Sequence, residues 1–133
     1  MTEFNYNDYL IPFDSKNEFD LSEKQQKELL LNSITFRKKN TVSKTILEHD
    51  LAIIGINENR NTENKGSEKG PDAVRSELYR LFSPGNINII DLGNLKTGKT
   101  VKDTYSAICD VIYNLLLNEL AIILLGGSKD III

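Results

Sequence analysis

Three apolar runs, separated by two stretches of helical period, organise the chain from residue 51 onward. Leu51–Ile56 and Ala121–Leu125 are continuous apolar runs, the pattern of strands buried on both faces in a parallel sheet. Ile87–Leu92 reads as the strand between them in sequence, closing at Gly93. Between the first two strands in sequence, Pro71 suits the first turn of a helix and Asp72 sits near its positive end. Val74, Leu78, Leu81 and Phe82 then form one stripe, and Ser83-Pro84-Gly85 ends the helix. The spacing predicts a longer helix over Val101–Glu119. Its stripe is Val101, Tyr105, Ile108, Ile112 and Leu115, widened by Val111 and Leu116, with Lys102, Asp103, Ser106, Asp110 and Asn114 facing away. The order strand, helix, strand, helix, strand, joined by right-handed crossovers, predicts an α/β fold: a three-layer open sheet with a parallel βαβαβ core.

Residues 1–50 read differently, as an N-terminal arm with a helix ahead of the 51–133 unit. Phe4, Tyr6, Tyr9, Phe13 and Phe19 are scattered without a period. Ser22-Glu23-Lys24-Gln25 resembles a capping box, opening a helix to about Thr35 that buries Leu29, Leu30 and Ile34. Val42–Glu48 predicts a second short helix. Arg37-Lys38-Lys39-Asn40 reads as a solvated basic turn. Asn57–Gly70 is a long polar loop of the kind that carries function in compact domains.

Composition narrows the function classes. The 133 residues suffice for one modest core, and a formal net charge of -3 gives no basic excess for nucleic acid. The N-terminus lacks a signal peptide's cationic and apolar regions. The most apolar stretch, Ile108–Leu125, carries Asp110, Asn114, Asn118 and Glu119, which a bilayer span avoids. A single cysteine, Cys109, cannot form an intrachain disulfide, which fits a reducing, cytoplasmic setting; at mid-helix it reads as a small buried apolar residue.

Candidate chemistry gathers at two places. The first is the end of the last strand, Gly126, Gly127, Ser128, Lys129 and Asp130, because ligands of open α/β sheets sit outside the strands' carboxyl ends. The second is Gly93-Asn94-Leu95-Lys96-Thr97-Gly98-Lys99-Thr100, which fits the phosphate-loop pattern at Gly93, Gly98, Lys99 and Thr100. The competing reading of that segment is a polar loop with Thr100 capping the next helix. His49, the one histidine, reads as a surface or hinge residue. Glu58, Glu63 and Glu68 read as parts of a solvated loop.

Taken in order, Ile53-Ile54-Gly55-Ile56, Gly70-Pro71-Asp72-Ala73-Val74-Arg75, Asp91-Leu92-Gly93 and Leu125-Gly126-Gly127-Ser128-Lys129-Asp130 resemble the amino-terminal motifs of the ureohydrolase superfamily, the arginases, agmatinases and formimidoylglutamases. An arginase-like branch with Gly-Gly-Ser-Gln-Asp at the last motif is the nearer resemblance. It implies hydrolysis of guanidino or amidino C–N bonds by two manganese ions, which polarise the substrate and generate hydroxide. It also implies that the first metal-ligating histidine follows the Gly-Gly pair. Here Lys129 stands in that place, and an ammonium has no lone pair to give a metal. The expectation is therefore an N-terminal fragment of an arginase-like protein, inactive by itself. It would hold no cofactor, with manganese belonging to the full-length family. It would use neither nucleic acid nor membrane, and would pair with a missing C-terminal portion or with its own copy. The rival functions are a nucleotide-binding module at Gly93–Thr100 and a non-catalytic interaction subunit.

Overall fold

The structure, a computed structural model, describes residues 4–57 and 69–126. Three parallel strands form its centre: β3 (Leu51–Ile56), β4 (Ile89–Leu95) and β5 (Ala121–Gly126), in the order β4-β3-β5. Between them run α3 (Gly70–Leu78) and α4 (Val101–Leu117). This is the expected α/β sheet with its parallel βαβαβ core.

The arm joins the same sheet. Two short strands share the outer edge of β4: β1 (Leu10–Ile11) runs antiparallel against Leu95 and Asn94, and β2 (Thr35–Phe36) runs parallel against Ile90 and Asp91. The predicted helix from Ser22 to Thr35 is replaced by a one-turn α1 (Leu21–Lys24), a 3-10 turn at Leu30–Asn32 and β2. Its box is set two residues earlier. Asp20 Oδ1 accepts from the Glu23 N–H (2.8 Å), and Glu23 Oε1 accepts from the Asp20 N–H (3.1 Å). The helix stops because tertiary pairing wins over helical propensity. The N–H groups of Leu30 and Leu31 donate to the carbonyls of Leu81 and Tyr79, and Ser83 N–H donates to Glu28 O. Leu29, Leu30 and Ile34 are buried all the same. The second short helix, α2 (Ser43–Leu47), forms as expected.

Strand alternation divides the core into two layers. Ala52, Ile54, Ile56, Ile90, Leu92 and Leu95 face α4 through Ile108, Val111 and Leu115, and face the arm through Tyr6 and Leu10. Ile53, Ile89 and Leu125 face Tyr79, Phe19 and the Leu29–Leu31 segment. Each fully buried aliphatic side chain contributes about 1.5–3 kcal/mol, so central β3, with Ala52, Ile53, Ile54 and Ile56 at 1% exposure or less, is the strongest part.

Four expectations need correcting. β4 does not close at Gly93 but runs on to Leu95, through a bulge in which register passes from Ile53 opposite Asp91 to Ile54 opposite Gly93. Gly93 adopts φ 97°, and a Cβ there would lie 2.0 Å from Ile11 O, so only glycine lets β1 approach. In α3 the buried positions are Pro71 and Arg75, with Tyr79 just beyond, while Val74, Leu81 and Phe82 are exposed. The chain leaves helical geometry at Tyr79, so Leu81 and Phe82 no longer follow its period. In α4, Thr104 joins the buried stripe, Leu116 is exposed, and Cys109 lies on the solvent face rather than in the core. β5 is an edge strand among the described residues, so Ala121 and Ile123 are exposed where burial on both faces was expected. No helix among the described residues is long and apolar enough to cross a membrane.

Candidate functional site

The rim formed by the carboxyl ends of β3, β4 and β5 is where the amino end of α3 docks. The sheet and helix touch backbone to side chain. A Cβ on Gly55 would lie 1.9 Å from Asn94 Oδ1, and one on Gly126 would lie 2.7 Å from Pro71 Cδ. Glycine at the ends of β3 and β5 is thus what brings Pro71 down onto the strands. Gly126, the first of the predicted rim residues, also carries φ 75° as it ends β5. Gly127, Ser128, Lys129 and Asp130, the tail Ile131–Ile133 and most of the polar loop with Glu58, Glu63 and Glu68 lie outside the described residues.

Beneath the rim sits a buried ionic network that sequence reasoning missed. Arg75 and Asp91 are both fully buried side chains. Arg75 Nε donates to Asp91 Oδ2 (2.7 Å) and Nη2 donates to Asp91 Oδ1 (2.9 Å), a two-pronged pair. The remaining guanidinium protons go to Gly93 O (3.0 Å), Asp72 Oδ1 (3.0 Å) and Asn94 Oδ1. Asp91 is equally saturated, since Oδ2 also accepts from the Tyr79 hydroxyl and Oδ1 from the Gly93 N–H (2.9 Å). An unpaired charge here would cost several kcal/mol in lost solvation, so the full complement of partners is what makes the burial tolerable.

The bulge in β4 is what assembles this network. Without it, strict alternation would put Asp91 and Gly93 on one face and Asn94 on the other. The extra residue, Leu92, resets the parity, so that Asn94 joins Asp91 on the α3 side. Burial alone would lower the Arg75 pKa, but the hydrogen bonds and charge of Asp91 outweigh it and hold the pKa above its ordinary value. Burial, reinforced by the Asp91 charge, pushes the Tyr79 hydroxyl well up. The phenol therefore stays protonated and donates.

This network positions, and holds no substrate-facing donor in reserve. At the rim itself, Asn57 Oδ1 is a buried acceptor with no hydrogen-bond partner among the described residues, and a neutral atom. Among the described residues no group of three or more His, Cys, Asp or Glu is placed to hold a metal ion. His49 lies at the opposite, amino end of β3. Its Nδ1 donates to Thr45 O (2.8 Å) and its Nε2 meets Thr35 Oγ1 (3.0 Å), tying α2 to β2. The described donor set therefore does not fit a manganese pair.

The Gly93–Thr100 segment has a different shape from a phosphate loop. Gly93, Asn94 and Leu95 belong to β4, so too few residues remain to wrap a phosphate. The amides that would point at an anion are engaged. Gly98 N–H donates to Thr104 Oγ1 (2.9 Å) and Thr100 N–H donates to Asp103 Oδ2 (3.2 Å). Thr100 Oγ1 accepts from the Asp103 N–H (3.1 Å), completing a capping box whose carboxylate opposes a phosphate at this helix end. Lys99 follows Gly98 in the same turn. The Thr100 cap is the reading that the geometry supports.

The Arg75–Asp91 pair was legible in principle. Asp91 interrupts the apolar run Ile89-Ile90-Asp91-Leu92, and a carboxylate in a buried strand requires a partner. Compared with known proteins, the chain matches the model of the Arginase family over residues 49–133. No curated protein matches it.

Proposed function

The chain belongs to the arginase family, and from that premise we propose that it supplies the amino-terminal portion of a ureohydrolase fold and does not by itself hydrolyse guanidino or amidino C–N bonds. What supports this reading is the chemistry of the rim. Its described residues offer amides, glycines, a saturated ion pair and the part-exposed carboxylate of Asp72, already bonded to Arg75, rather than a converging set of imidazoles and carboxylates that ligates manganese. Lys129, which by the family resemblance takes the place of a metal-ligating histidine, offers three donors and no acceptor. The part this chain plays is to shape the rim: the Arg75–Asp91 clamp and the close packing on Gly55 and Gly126 fix the angle at which α3 meets the sheet. Assay of urea and formamide release by the purified chain with added manganese, across arginine, agmatine and formimidoylglutamate, is expected to match the protein-free blank. Saturable turnover of any of the three overturns the proposal.

A further inference from the structure

The outer edge of β4 opens a cleft where its neighbour changes. β1 arrives beside Asn94 and β2 leaves beside Asp91, so the chain segments beyond them, residues 12–16 and 36–39, diverge. Between them is a cavity of about 350 Å³, near the small end of the range for small-molecule sites. Phe13 and Phe36 form its apolar wall, their ring centroids 6.0 Å apart. Lys16, Arg37, Lys38 and Lys39 supply four cationic residues, against one carboxylate, Asp14. The local charge is thus opposite in sign to the net -3 of the chain.

The carboxylate is committed elsewhere. Asp14 Oδ1 accepts from the Lys16 N–H (3.1 Å) and Oδ2 from Asn17 Nδ2 (2.8 Å), closing a local turn. No carboxylate among the described residues lies within ion-pair distance of Lys16, Lys38 or Lys39. Arg37 is the decisive residue. It is only 2% exposed, yet all its hydrogen bonds go to neutral oxygens: Leu92 O (2.8 Å), Leu10 O (3.0 Å) and Asn7 Oδ1 (2.6 Å). Asp91 acts on it through charge alone, its oxygens being taken by Arg75, Tyr79 and Gly93. Buried charges are normally paired, and among the described residues none forms an ion pair with this one.

We propose that the cleft between residues 12–16 and 36–39 binds a phosphate monoester carrying an aromatic ring, the dianion set among Lys16, Lys38 and Lys39 in the field of the buried Arg37 and the ring against Phe13 and Phe36. The dianion answers the surplus of cations, and the flat ring answers the apolar wall. The inference is independent of hydrolysis at the rim.

Phenyl phosphate is the probe, titrated by calorimetry into the full chain, with inorganic phosphate in parallel. Lys38→Glu/Lys39→Glu is compared with Lys96→Glu/Lys102→Glu, which makes the same charge change at exposed positions away from the cleft. All four positions are exposed, and unchanged denaturation midpoints establish that both variants fold. The expected result is saturable one-to-one binding of phenyl phosphate, weakened about tenfold or more in the Lys38/Lys39 variant and unchanged in the other. Absence of saturable binding below about 10 mM, or equal weakening in both variants, overturns the site. Inorganic phosphate binding as tightly as phenyl phosphate overturns the role given to the two rings.

Discussion

Replacing Asp91 with Asn exchanges one carboxylate oxygen for an amide NH2 and tests the network under the rim. The native carboxylate accepts four hydrogen bonds: two from Arg75, one from the Tyr79 hydroxyl and one from the Gly93 N–H. Asparagine keeps one acceptor oxygen and turns an amide donor toward donors. It also strips the Arg75 guanidinium, fully buried, of its neutralising charge. Removing one partner of a buried ion pair costs about 3–5 kcal/mol. The whole stability of a domain of this kind is about 5–15 kcal/mol, so the variant loses a large share of it. With a urea dependence of about 1–3 kcal/mol per molar, the unfolding midpoint falls by about 1–5 M. The assay is urea denaturation followed by circular dichroism, run as a cycle with Arg75→Met, Asp91→Leu and the double variant. The double variant is expected to lose far less than the sum of its single changes, because it leaves no buried charge stranded. A loss below about 1 kcal/mol for Asp91→Asn, or single effects that simply add, refutes the account.

Other outcomes follow from the same contacts. Burial raises the Tyr6 hydroxyl to about 12, so the unfolded chain ionises first as the solution turns alkaline. The stability this group contributes is complete below pH about 10 and is lost as pH rises to about 12. Urea midpoints measured across that window should fall less steeply in Tyr6→Phe, and an unchanged slope contradicts the assignment. Glu23, whose hydrogen bond from Arg80 holds its carboxyl below the ordinary value, acts in the opposite direction. Its contribution is present above the usual glutamate range and lost as pH falls through the depressed value, so Glu23→Gln should blunt acid sensitivity. Gly93→Ala sets a Cβ against Ile11 O and forces a left-handed φ on alanine, a strain of about 1–3 kcal/mol before any displacement. Hydrogen exchange at Leu10 and Ile11 should quicken selectively, and protection equal to the parent chain counts against the bulge's role. Cys109, exposed on α4, should react with a thiol reagent in the folded protein. Labelling only at the rate of unfolding contradicts that placement.

The sequence was most readable where burial is simple. Leu51–Ile56 and Ala121–Leu125 emerged almost to the residue, because uninterrupted apolar runs bounded by polar residues leave few alternatives. β4 runs past the end its sequence signals because Gly93, a terminator by pattern, gives its backbone freedom to a bulge inside the strand. The buried face of α3 was misplaced for a related reason. Apolar periodicity gives no weight to Arg75, whose burial depends on an aspartate sixteen residues away in a different element. The arm was the least legible part. Its helix signal was real at Asp20–Glu23, but the fate of Leu29–Phe36 was decided by strands and loops of much later sequence. At the rim, Gly126 and the Thr100 cap could be placed from the pattern, while the close approach of Pro71 to Gly55 is a three-dimensional fact with no local signature.

That Leu10 pairs with Leu95 and Thr35 with Ile90 has a bearing on how the chain is made. A ribosome delivers the arm first, yet both of its docking partners are translated dozens of residues afterwards. Until β4 has cleared the exit tunnel, Tyr6, Leu10 and Leu29–Leu31 have no surface to settle on, and the nascent segment depends on whatever holds apolar chains apart in the cell. Docking of the arm on the outer edge of the sheet, then, waits for residues 89–95.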